Sequence, residues 1–197
     1  MSRNSTSKEY AEIVSIAQSF HRELLSENGQ WAESPFAWIK FCSSRAQLTI
    51  GEKIVSSWLA LHDFNIERSP DAEADRLIEG KRTLIKFSTL WRNGTYSFQQ
   101  IRDEHYEIVL LFGISPNDAH CWVVSKSDIE RLLREGSVRK QIKSESSPLE
   151  IRLTPDGGAT SEDKAMSKFG NGLHDALVSI SRLTGYTPKD LIESLDA

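Results

Sequence analysis

The stretch Asp75-Arg-Leu-Ile-Glu-Gly-Lys-Arg-Thr-Leu-Ile-Lys86 decides how this chain folds. Apolar and β-branched residues flank a glycine-containing pair, which is the pattern of a β-hairpin. Strands are expected over residues 75–79 and 82–88, with Gly80-Lys81 as the two-residue turn. Side chains alternate along a strand, so Leu84, Lys86 and Ser88 share one face while Ile85 and Phe87 take the other. The hairpin therefore brings an acid, Asp75, beside a base, Lys86, at one end of a sheet. A carboxylate so placed can hold a hard divalent cation. A neighbouring lysine can position or deprotonate a water and offset charge developing on a phosphate.

Upstream, residues 48–62 have helical periodicity, with Ile54, Val55, Trp58, Leu59 and Leu61 on an apolar stripe. Thr49 with Glu52 three residues later fits a capping box, which puts Glu52 in the first turn. A second helix is expected over 9–26, from Ile13, Ile16, Phe20, Leu24 and Leu25, and a short strand over 64–68. Downstream, residues 97–104 are read as a helix, 107–114 and 120–125 as strands, and 128–135 as a helix ended by Gly136. Residues 149–153 are read as a strand and 172–183 as an amphipathic helix. This order predicts an α/β protein with a mixed β-sheet flanked by helices, a three-layer sandwich. It divides into an N-terminal helical extension (1–47), an α/β core (48–135) and a C-terminal extension (136–197) whose helix packs on the core.

A chain of 197 residues can bury a real core without staples. Its two cysteines, Cys42 and Cys121, have no metal-site or redox spacing and are expected as buried reduced thiols. Residues 1–8 are polar, and no stretch is apolar enough to span a bilayer, so the expectation is a cytoplasmic protein. A net charge of -4 argues against indiscriminate nucleic-acid binding but leaves room for a local basic cleft.

The stretch from Asp75 to Lys86 resembles the signature of the PD-(D/E)XK nucleases, which include type II restriction endonucleases. In that superfamily an Asp precedes one strand and Glu-X-Lys lies on the next. An upstream helix often carries a further Glu, which maps to Glu52. The segment Phe98-Gln-Gln-Ile-Arg-Asp103, the apolar strand to Ile114 and His120-Cys-Trp-Val-Val124 are similar to the elements downstream of the motif in restriction-type members. The likeness runs from about Gly51 to Leu133. It implies a restriction-endonuclease-like fold and a DNA endonuclease of restriction or phage-defence type. Mg²⁺, with Mn²⁺ as a substitute, would be held by Asp75 and Glu52, Lys86 would position water, and Gln100 would join them. Cutting two strands implies a homodimer.

One residue departs from the pattern. Position 84, where the motif has Glu, is Leu84. Glu79-Gly80-Lys81 spells the motif but falls in the turn. Three readings are open. The acid comes from elsewhere, with Glu52, Asp103, Glu104 or the amide of Gln100 in its place. Alternatively, the site binds metal poorly and the chain is a DNA-binding or assembly subunit that relies on a partner. Or Leu84 is an inactivating change in an active lineage. Asp71 and Glu73 compete with Asp75 for the role of first acid. DNA contacts are assigned to Ser88, Gln99 and the basic run Arg131, Arg134, Arg139, Lys140 and Lys143, whose alternative is a solvated face. Trp58 and Trp122 read as core anchors. Trp91 opens a loop beside the proposed site.

Overall fold

The computed structural model describes residues 8–141, 147–158, 160–189 and 191. Helix α1 (Lys8–Glu27) comes first, then a 3-10 turn at Gly29–Trp31 and the short helix α2 (Ala37–Lys40). Helix α3 (Ser44–Leu61) is next. Its N-cap is Ser43, whose hydroxyl accepts the Ala46 N–H at 3.3 Å. The capping box expected at Thr49 and Glu52 is therefore not formed. Thr49 lies inside the helix and its hydroxyl turns back to the Arg45 carbonyl, a local bond open to any helical threonine.

Strands β1 (Ile66–Arg68), β2 (Arg76–Ile78) and β3 (Lys81–Thr89) form an antiparallel meander. The β2–β3 turn is Glu79-Gly80, both at positive φ, rather than Gly80-Lys81. Positive φ at both central residues is the type I′ requirement, and it matches the twist of the strands it joins. After β4 (Tyr96–Ile101), strand β5 (Ile108–Ile114) returns parallel to β3, and β6 (Ala119–Ser125) runs antiparallel to β5. The five-stranded mixed sheet has the order β1-β2-β3-β5-β6.

Helix α4 (Lys126–Arg134), strands β7 (Arg139–Lys140) and β8 (Leu149–Leu153), and helices α5 (Ser161–Met166) and α6 (Leu173–Thr184) complete the chain. The helix expected over 97–104 is strand β4, which pairs antiparallel with β8. With β7 it makes a second, three-stranded sheet of order β4-β8-β7. The segment expected as a C-terminal extension thus shares a sheet with the core. Its helix α6 packs on β6. Among the described residues no helix is long and apolar enough to cross a membrane.

Two cores lie on opposite faces of the five-stranded sheet. One joins Val55 and Leu59 of α3, Ile85 and Phe87 of β3, Phe112 of β5 and Ile180 of α6. The other joins Leu84 of β3, Tyr96 and Phe98 of β4, Leu111, Trp122 and Leu132. The layers are helices, mixed sheet, and then a small sheet with α4 beside it. This keeps the α/β class and the mixed sheet, while a β-layer stands where a second helical layer is expected. Cys121 is fully buried, whereas Cys42 is only partly so; both are free thiols. Helix α1 stands apart from these cores, with Ile13, Ile16, Phe20 and Leu24 exposed.

The corner between β8 and α5 depends on one buried carboxylate. Asp163 accepts the Thr154 and Thr160 N–H groups and both threonine hydroxyls, and it closes a capping box with Thr160. A fully satisfied buried acid of this kind fixes a chain direction at little net cost.

Candidate functional site

Lys86 and Ser88 lie on the face of β3 that also carries Leu84, the face turned to β4. Ser88 Oγ accepts the Ser97 N–H at 3.0 Å and donates to the Thr89 carbonyl. Between β3, β4 and the first turns of α3 lies a cavity of about 230 Å³. Lys86, Ser88, Gln99, Gln100, Gln47 and Trp91 line it. Sequence reasoning finds Lys86, Ser88, Gln99 and Gln100 here, though it puts the two glutamines on a helix. In β4 the register shifts between Phe98 and Ile101, and Gln100 has φ of 59°. A bulge of this kind adds a residue to the strand. It leaves both glutamine side chains on the exposed side while Phe98 and Ile101 remain buried.

Lys86 is half-buried, and desolvation lowers its pKa below the ordinary lysine value. The charges of Asp75 and then Glu104 oppose that shift, and Arg102 adds to it. Asp75 lies just before β2. Its N–H donates to the Thr83 carbonyl at 3.0 Å and its Oδ2 accepts the Ile85 N–H at 2.6 Å. The carboxylate is thus fixed to the β3 backbone one residue before Lys86, near enough for its charge to act on the Lys86 ammonium.

Glu52 is held elsewhere. It lies in the middle of α3 and pairs with Arg76 at 2.7 Å. Arg76 in turn donates to the backbone carbonyl of Asp75 at 3.0 Å. Leu84 is 5% exposed and belongs to the buried cluster with Tyr96, Phe98 and Trp122. The competing acids are also engaged. Asp71 pairs with Arg82 and accepts the Glu73 N–H, and its pKa is lowered first by that N–H and then by Arg82. Glu73 binds the N–H and Nδ1 of His105. Asp103 pairs with Lys126 at 2.8 Å.

Among the described residues, no group of three or more His, Cys, Asp or Glu could hold a metal ion. The acid cage that the resemblance implies for Mg²⁺ does not fit the residues present. Asp75 supplies one carboxylate with an oxygen already in a hydrogen bond, Glu52 faces a guanidinium, and position 84 is apolar.

Among the described residues, members of the basic run line two different recesses. Arg131 pairs with Asp128 and lies 3.7 Å from Glu135, in a recess with Lys168 and Arg182. Arg134 bonds the Glu130 carbonyl in the last turn of α4. Arg139 and Lys140 form β7 and line a different recess, with Arg152 and Glu162. Lys143 lies outside the described residues. Sequence reasoning missed two residues of the site. Gln47 reaches the cavity from α3, and Glu150 of β8 accepts Ser97 Oγ at 2.7 Å and Gln99 Nε2 at 3.2 Å. Neither belongs to a local motif; both arrive through tertiary packing. No family model matches this chain, and no curated protein matches it.

Proposed function

We propose that this chain binds DNA by its phosphodiester backbone at the Lys86 cleft, as a nuclease-like protein of restriction or phage-defence type. The observation that carries this reading is a half-buried lysine in a cavity lined by amides and a hydroxyl, with no acid cage around it among the described residues. A desolvated ammonium gains most when an anion arrives to pair with it. Amides and hydroxyls are common ligands of phosphate oxygens, and they fix the register of a strand without reading its sequence.

A second reading, hydrolysis of the bound phosphodiester, is favoured by the charges of Asp75 and Glu104, both of which act on Lys86. Lys86 would then position or deprotonate the attacking water. Mg²⁺ is commonly bound by one or two carboxylates together with substrate phosphates, so dependence on Mg²⁺ or Mn²⁺ is the test of this reading. Cutting both strands would take two copies of the chain.

The experiment measures binding to plasmid and phage DNA in a chelator, then cleavage with Mg²⁺ and with Mn²⁺, for wild type, Lys86→Ala and Asp75→Ala. Binding without cutting, lost in Lys86→Ala, supports the first reading. Discrete cutting, lost in both variants, supports the second. Folded wild type that neither binds nor cuts DNA, duplex or single-stranded, removes the DNA reading altogether.

A further inference from the structure

Trp91 is 43% exposed and opens the turn between β3 and β4. That turn is tightly built. The Trp91 N–H donates to the Thr95 carbonyl at 2.9 Å, the Gly94 N–H donates to the Trp91 carbonyl at 3.0 Å, and Gly94 supplies the positive φ. Asn93 Oδ1 accepts both the N–H and the hydroxyl of Thr95. The turn's backbone is therefore fixed where it presents the indole, so binding need not order it. A single exposed aromatic is ordinary on a protein surface; its position here is what distinguishes this one.

The ring borders two recesses at once. On one side is the cavity of Lys86, Gln99 and Gln100. On the other is a shallower recess formed with Lys40, Arg92 and Asn93. Lys40 is fixed there by bonds from its ammonium to the Leu90 carbonyl at 2.8 Å and to Thr89 Oγ1 at 3.3 Å. An apolar residue between two recesses that each hold a lysine suits a nucleic-acid strand, whose bases stack on aromatic side chains while its phosphates meet cations.

We propose that Trp91 is a stacking platform for an unpaired base, and that this cleft takes single-stranded or locally unpaired DNA, with the flanking phosphates in the Lys86 and Lys40 recesses. The inference rests on the backbone-binding reading above and names its substrate class. In a paired duplex both faces of each internal base are covered by neighbouring bases, so the indole has nothing to stack on. An unpaired base offers it a free π-face whatever the sequence.

The test is fluorescence anisotropy in a chelator, with a short labelled oligodeoxynucleotide presented as a single strand, as a duplex, and as a single strand carrying abasic sites. Wild type is expected to bind the plain single strand at least about tenfold more tightly than the duplex. Trp91→Ala and Trp91→Leu are expected to lose about tenfold on the single strand, and Trp91→Phe to keep most of the affinity. The abasic strand should cost wild type a similar factor and cost Trp91→Ala almost nothing. Equal single-strand affinity of wild type and Trp91→Ala, or a preference for duplex, overturns the proposal. If Lys86→Ala loses binding while Trp91→Ala does not, the stacking proposal falls and backbone binding stands. If folded wild type binds no oligonucleotide, both fall.

Discussion

Arg76 Nη2 stands 2.7 Å from Glu52 Oε1, so the one acid of α3 aimed towards the hairpin is answered by a guanidinium. The same Arg76 donates to the backbone carbonyl of Asp75, the neighbouring candidate acid. Arg76→Met keeps most of the stem and removes that charge. Because both side chains remain about a quarter exposed, the stability loss should stay within about 1 kcal/mol. Mn²⁺ affinity, measured by calorimetry, should rise severalfold, and adding Glu52→Gln should cancel the gain. No change in heat on Arg76→Met would mean that Glu52 takes no part in cation binding even when released.

Leu84 bears on the same question from the core. It is 5% exposed among Tyr96, Phe98, Val109 and Leu111. Leu84→Ala should cost about 2–5 kcal/mol by loss of burial and creation of a cavity. Restoring the acid of the motif with Leu84→Glu should cost at least as much, since it buries a carboxylate in an apolar cluster. Denaturant unfolding of the two variants checks this. A Leu84→Glu protein as stable as wild type would show that water or a cation reaches position 84.

Gly51 explains why α3 can lie so close to the sheet. A Cβ at this position would fall 2.2 Å from Phe87 Cγ and 2.4 Å from Phe87 Cβ. In an exposed helix Gly→Ala is stabilising by up to about 1 kcal/mol. Here the sign reverses, and Gly51→Ala should destabilise by about 1–3 kcal/mol through overpacking. Thermal unfolding decides it, because a raised midpoint would mean that Phe87 moves aside freely.

What the sequence reveals, and what it conceals, has physical reasons in particular residues. The hairpin from Asp75 to Ser88 is legible because alternation is a local signal and sets which residues of β3 share a face, although its turn falls one residue earlier than expected. Strand β4 is misread as a helix because its bulge at Gln99-Gln100 changes the spacing of buried residues. Tyr96 and Phe98 are two apart, but Phe98 and Ile101 are three apart, which imitates a helical repeat. Thr49 and Glu52 match a capping box by chance inside a helix that begins at Ser44. The Glu52–Arg76 pair, the arrival of Gln47 at the cavity and the bonds of Glu150 to Ser97 and Gln99 are tertiary contacts with no local pattern.

His120 gives a pH dependence away from the cleft. Its Nδ1 lies 2.9 Å from the Tyr96 hydroxyl, and burial lowers its pKa below the ordinary histidine value, against the opposing charges of Asp118 and Asp156. Below about pH 6.5 the unfolded chain takes up this proton before the folded one, so stability falls as pH decreases from that value. Above it both states are neutral and the group adds no slope. His120→Asn should therefore flatten the decline in thermal midpoint just below pH 6.5, even if it lowers the midpoint throughout. A slope equal to that of wild type would assign the decline to other groups.

Lys86 gives the pH dependence that bears on function. Burial, the largest effect on it, lowers its pKa below 10.5, so the folded protein loses this charge at a lower pH than an exposed lysine does. Phosphate contact needs the charged form. DNA affinity should therefore be full at neutral pH and should fall as pH rises through the depressed value, while most exposed lysines keep their charge. Lys86→Arg replaces the group with one that stays protonated throughout. That variant should lose affinity less steeply than wild type as pH rises, the remaining decline coming from Lys40, whose pKa burial also lowers, even if its geometry weakens binding at every pH. Salt titration separates this from a general electrostatic effect, since each phosphate contact contributes about 0.9 to the logarithmic slope on duplex DNA and about 0.7 on a single strand. Loss of the Lys86 charge should reduce that slope by about one contact. An equal decline with pH in wild type and Lys86→Arg would place the titrating group outside the cleft.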